Sequence, residues 1–185
     1  DPLQLHAQLR QCVDDGVKAC AIEASSIGLS EHRLAGTRLK IAIFTNFTQD
    51  HLDYHGNMDA YWQAKSSLFA WPELQAAVIN IDDTHGKALA AQLQANKAQE
   101  SADVWTISML GDARLRAQSV QNGKHGLQFE VVEEDEIHLL KTDLVGEFNV
   151  LNLLGVLASM RALGIELSQA IKACHQLPSV PGRMQ

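Results

Sequence analysis

Apolar residues at Leu3, Leu5, Leu9, Cys12 and Val13 recur at helical spacing and stop before Gly16, which predicts a helix over residues 3–14. Asp1 and Pro2 ahead of it suit an N-cap and a first helical position. The next run, VKACAIE (17–23), reads as a short strand ending in Glu23, and SSIGLSEHRLAGT as loop and turn. KIAIFTN (40–46) reads as a second, buried strand, NMDAYWQAKSSLFA (57–70) as a helix with an Asn cap, and AAVINIDD (76–83) as a third strand. THGKALAAQLQANKAQ is helical, and ADVWTIS (102–108) is a fourth strand. Strands alternating with helices imply βαβ units and a parallel sheet.

The pattern changes after residue 110. HGLQFEVV and EIHLLKTDL flank the acidic turn EED and read as an antiparallel hairpin, after which helices are expected near 148–163 and 167–177, stopped by Pro178. The fold class is therefore α/β, a mostly parallel sheet flanked by helices with a small antiparallel hairpin. A chain of 185 residues suits one domain. The start has no initiator Met or signal-peptide pattern, and LPSVPGRMQ at the end suits a linker, so a single-domain piece (1–185) of a longer protein is expected.

Charge and cysteine usage narrow the function classes. The formal charge is −7 and the basic residues are scattered, which argues against a nucleic-acid surface. No apolar run approaches the about eighteen residues that span a bilayer. Cys12, Cys20 and Cys174 are odd in number and far apart, which favours a reducing compartment, the cytoplasm by default.

In open parallel sheets ligands sit at the carboxyl ends of strands, which selects Glu23, Thr45, Asn46, Asp82 and Asp83. TNFTQDHLDYHG (45–56) adds His51, Asp53 and His55, an H-x-D-x-H string that suits a metal site or, equally, a loop that only caps and hydrogen-bonds. With Glu23, a strand-end carboxylate and a histidine fit magnesium beside a nucleotide. Lys65 reads either as a solvated lysine or, between Trp62 and Phe69, as a stem on an apolar face, where a neutral amine can take up carbon dioxide as a carbamate. Asn149 and Asn152, at i and i+3, are a helix cap with a satisfied neighbour or a pair of amides facing a purine. Ser25, Ser26 and Arg33 form a plain loop or a phosphate or carboxylate site, and Arg183 is a linker residue or an arm to a nucleotide.

Taken together, EASS (23–26), TNFTQDHLDYHG (45–56), YWQAKSSLF (61–69), and GEFNVLNLLGVLASMRALG with PGRM (146–164, 181–184) resemble in order and spacing the central ATPase domain of Mur ligases. The likeness covers nearly the whole chain and is nearest to the MurE type, which adds the third peptide residue to UDP-N-acetylmuramoyl-L-alanyl-D-glutamate. The resemblance implies ATP and Mg2+ as cofactors and amide formation through an acyl phosphate. Its partners would be the UDP-muramoyl dipeptide and an amino acid, meso-diaminopimelate or L-lysine, with a monomer expected. It implies Glu23 and His51 as magnesium ligands and Lys65 as the carbamylated lysine beside the second ion. Asn149 and Asn152 would face adenine, Arg183 would contact ATP, and Ser25, Glu31 and Arg33 would match substrate-binding positions.

Departures accompany the likeness. The sequence holds no G-K-[ST] phosphate loop, which the family carries upstream, and no amino-acid-reading C-terminal domain, so the piece alone is expected to be inactive. Ile27 stands where the family often has His, and Glu31 where it has a substrate-contacting Gln. Competing readings are a folylpolyglutamate synthase-like ligase, a metal-dependent hydrolase using His51, Asp53 and His55, and a non-catalytic nucleotide-binding module.

Overall fold

A computed structural model describes residues 2–50, 52–96, 102–123, 126–175 and 177. Contacts divide the chain into two compact units, Asp1–Leu39 with Thr48–Leu74, and Lys40–Phe47 with Gln75–Gln185.

The first unit is helical. Helix α1 (Pro2–Asp14) buries no residue fully; Leu5, Leu9 and Cys12, spaced four and three apart, form its half-buried line. Short helices follow, α2 (Ser26–Ser30) and the single turn α3 (Leu52–His55). Helix α4 (Met58–Ser66) starts on Asn57, whose side chain accepts the N–H of Ala60 at 2.8 Å, and runs into a 3-10 turn, Ser67–Ala70. The strand expected over 17–23 is not formed. All seven residues are exposed and without regular structure, because a strand exists only where a neighbour completes its hydrogen-bond ladder, and among the described residues none pairs with this run.

The second unit holds a six-stranded sheet in the order β1 (Ile41–Phe44), β2 (Ala76–Asn80), β3 (Asp103–Ser108), β4 (Leu115–Gly123), β5 (Gly126–Glu133) and β6 (Glu136–Thr142). The first three pairings are parallel and the last two antiparallel, as the fold class anticipated. The antiparallel part is larger than a hairpin. β4 joins it as a third strand, and its polar sequence RAQSVQNG with a register shift between Gln118 and Gln121 hides the alternation that marks a strand. Every residue of β2, AAVIN, is buried, as a central parallel strand requires.

Two helices cover the core. Helix α6 (Phe148–Ala162) contributes Val150, Leu153, Leu154, Leu157 and Ala158, and α7 (Leu167–Cys174) contributes Leu167, Ala170, Ile171 and Cys174, packed with Phe129, Val131 and Leu140. Helix α5 (Thr84–Ala95) begins against β2: a Cβ on Gly86 would stand 2.0 Å from the Asn80 carbonyl oxygen and 2.8 Å from Phe44 Cε1. Only glycine permits that approach. No helix among the described residues is long and apolar enough to cross a membrane.

Candidate functional site

In the second unit the polar groups at the strand ends are tied to one another. Asn80 closes β2, donates from Nδ2 to the Thr45 carbonyl at 2.7 Å, and accepts the Asp82 N–H at 3.0 Å. Asp82 accepts the Ser108 hydroxyl and, at 2.8 Å, the N–H of Met109. Asp83 accepts from Phe47 N at 2.8 Å and from His85 N and Gly86 N at 2.8 and 3.1 Å. Side chains of adjacent strand ends thus replace water as partners for the backbone there, which holds the carboxyl edge of β1, β2 and β3 rigid.

Asn149 and Asn152 lie in the first turns of α6. Asn149 Nδ2 donates to the Val145 carbonyl at 2.8 Å, and Asn152 Nδ2 donates to Asn149 Oδ1 at 3.2 Å, so the two carboxamides share one face. Asn152 is exposed and Asn149 half-buried. The adjacency foreseen for this pair is present, whereas the cap is not: Glu147 occupies the N-cap position, and no side chain accepts a backbone N–H there.

The first unit carries the rest. Glu23 is exposed on the irregular segment, and Ser25 is the N-cap of α2, its hydroxyl accepting the Gly28 N–H at 3.0 Å. Glu31 is held from two sides. Arg33 donates to its Oε2 from Nε at 2.8 Å, and the Tyr54 hydroxyl lies 3.5 Å from its Oε1. The guanidinium and carboxylate are both exposed, so this pair orients more than it stabilises. Lys65 is half-buried, its Nζ 5.3 Å from the centroid of the Tyr61 ring. Phe69, four residues further on, is buried, whereas Trp62 is only half-buried.

His51 and Arg183 lie outside the described residues. Of the H-x-D-x-H string, Asp53 is exposed on α3, and His55 is engaged elsewhere, with Nε2 3.0 Å from Ser26 Oγ and its ring stacked on Tyr61. Among the described residues no three His, Cys, Asp or Glu side chains converge as a ready-made metal cage. The hard carboxylate oxygens of Glu23 still suit magnesium, and Lys65 suits it only as a carbamate, since an ammonium repels a cation. Sequence reasoning passed over Tyr61, although its position four residues before Lys65 on one helix was a signal for it. Ser26, expected on a plain loop or in an anion site with Ser25 and Arg33, is instead buried, its hydroxyl 3.0 Å from His55 Nε2.

An open, mostly parallel sheet covered by helices defines an α/β domain, a class in which ligands sit at the carboxyl ends of the strands. The family described as Mur ligase middle domain matches residues 1–160, and the chain belongs to it. It is 54% identical over all 185 residues to a UDP-N-acetylmuramoyl-L-alanyl-D-glutamate--2,6-diaminopimelate ligase of Acidovorax sp. (strain JS42), covering 36% of that protein. The ligase of the same name from Janthinobacterium sp. (strain Marseille) is 45% identical over 188 residues, with 37% of it covered. A solved structure of a ligase of that name superimposes with a TM-score of 0.90 at 34% identity over 99% of this chain and 37% of the other. A MurF ligase from Thermotoga maritima in complex with ADP shares the fold at a TM-score of 0.61 and 17% identity, over 86% of this chain and 35% of that one. The chain spans a little over a third of the length of the curated relatives it matches.

Proposed function

We propose that this chain is the central nucleotide-binding part of an ATP-dependent ligase that joins an amino acid to UDP-N-acetylmuramoyl-L-alanyl-D-glutamate. The observation that carries the reading is the 54% identity, over every residue of the chain, to a ligase of that description. The names of this and the other relatives favour 2,6-diaminopimelate over L-lysine as the amino acid. The widely spaced free cysteines support a cytoplasmic setting, and we take the whole ligase to act as a monomer.

In this reading the dipeptide carboxylate attacks the γ-phosphorus of ATP, forming an acyl phosphate and releasing ADP. The amine of the incoming amino acid then attacks the acyl carbon, expels phosphate and loses a proton as the amide forms. Asn149 and Asn152 present carboxamide donors and acceptors to the adenine, with Arg183 assigned to ATP. Ser25, Glu31 and Arg33 orient the muramoyl substrate; the fork of Arg33, already engaged by Glu31, suits a planar anionic group. Magnesium, held by Glu23, His51 and a carbamylated Lys65, would neutralise the phosphate charge.

The test follows phosphate release from Mg-ATP by the intact ligase that carries this chain, with the UDP-muramoyl dipeptide and either diaminopimelate or L-lysine. Release that requires the dipeptide together with diaminopimelate is the expected result. Release independent of the dipeptide overturns the ligase reading, and a requirement for L-lysine instead overturns the choice of amino acid.

A further inference from the structure

Ser26, His55, Tyr61 and Lys65 form one continuous chain of contacts in the first unit. Ser26 is 2% exposed, and its hydroxyl meets His55 Nε2 at 3.0 Å. The His55 imidazole lies on the Tyr61 ring with centroids 5.3 Å apart and planes 29° apart, and the Tyr54 ring meets it edge-on at 4.8 Å. Tyr61 is 4% exposed, and the Lys65 Nζ stands 5.3 Å from its ring centroid.

The elements involved are too short to hold themselves. Helix α2 has five residues and α3 four, and α3 buries none of them. Helices of one turn depend on side-chain contacts for their place. His55 supplies two such contacts in different directions, a hydrogen bond to the segment that carries Glu23 and Ser25, and a stack onto the helix that carries Lys65. Rotation of the imidazole would move the Tyr61 ring and with it the surface on which the lysine rests.

We propose that His55 is a positioning residue for Lys65, fixing α4 against the 23–26 segment through Ser26 and Tyr61. The proposal rests on the ligase reading, in which Lys65 and Glu23 serve one site. The ring face attracts an ammonium and repels a carbamate, so the position of Tyr61 sets where the anionic form of Lys65 is directed.

Five proteins test it in the intact ligase: wild type, Ser26→Ala, His55→Phe, the double variant and His55→Gln. His55→Phe keeps a ring for stacking and removes the nitrogen; Ser26→Ala removes only a hydroxyl. Each single variant is expected to lower kcat about tenfold, the usual effect of losing a residue that orients a metal-binding group. The KM for ATP and dipeptide should stay within about twofold while the half-saturating magnesium concentration rises. The double variant should be no worse than either single one, because both break the same bond. His55→Gln, whose amide nitrogen can stand in for Nε2 but which has no ring to lay on Tyr61, should recover only part of the activity. Unchanged kcat in the single variants overturns the proposal, as does a loss matched by a lower melting temperature or additive losses in the double. If His55→Phe does not fold, Ser26→Ala decides alone. A wild type that releases no phosphate in response to dipeptide removes the ligase reading and this proposal together; an active wild type with indifferent variants removes only the latter.

Discussion

The carboxylate of Asp83 accepts the backbone N–H of Phe47 at 2.8 Å through one oxygen while the other accepts from His85 and Gly86 at the start of α5. One side chain thus caps a helix and fastens the segment that leaves β1. Asp83→Ala should cost about 2 kcal/mol, the upper end of the range for a lost N-cap, because the bond from Phe47 is lost together with the two cap bonds from His85 and Gly86. Asp83→Asn, with one acceptor oxygen left, should lose less. Chemical denaturation of the three proteins side by side reads the order.

Gly86→Ala should be more damaging than its small size suggests. The added methyl would overlap the Asn80 carbonyl oxygen at 2.0 Å, a backbone atom of a fully buried strand that has nowhere to go. A loss of about 3 kcal/mol, or no soluble protein, is expected. Gly164→Ala gives a comparison with free space around the new methyl: its cost should come only from the positive φ of 83°. A melting temperature for Gly86→Ala equal to that of wild type would contradict the packing described.

Glu130 accepts hydrogen bonds from Gln118 Nε2 and Ser119 Oγ, both at 3.0 Å, and the Gln118 bond followed by the Ser119 bond holds its carboxyl below the usual glutamate value. A carboxylate with a depressed folded value contributes stability that is present above the unfolded pKa, about 4.3, and is lost as pH falls through the folded one. The carboxyl carbon of Glu130, followed by NMR, should therefore titrate below an ordinary glutamate in wild type. In Gln118→Ala it should move back up. Identical titrations would show that the bond does not persist in solution.

Cys174, the last residue of α7, is 1% exposed, and burial pushes its thiol up, which keeps it in the unreactive protonated form. Cys20 is exposed. An aromatic disulfide reagent at neutral pH should label Cys20 within minutes and Cys174 only on unfolding. Equal labelling rates for the two would mean that α7 does not stay docked.

Local signals carried much of this structure. The helical stripes of α1, α4 and α6 and the apolar runs of β1, β2 and β3 are spacings of 3.6 and short buried stretches, properties of neighbours in the chain. Asn57 read as a cap for the same reason. The strand expected over 17–23 failed because a strand is a property of two segments, and β4 was passed over because its outward residues, Arg116, Gln118 and Ser119, are polar and its alternation is broken by a bulge.

The sequence by itself determined the α/β class, the capped helix carrying Lys65, the amide pair of Asn149 and Asn152, and, through its motifs, the family. Only the tertiary structure decided what the string around His55 does. Ser26 is 29 residues away, and nothing local distinguishes an imidazole that will meet a buried hydroxyl from one that will meet a metal. Likewise the bond from Asp83 to Phe47 crosses 36 positions. Such contacts are set by how whole elements pack, a balance of burial and hydrogen bonding that no window of neighbouring residues contains.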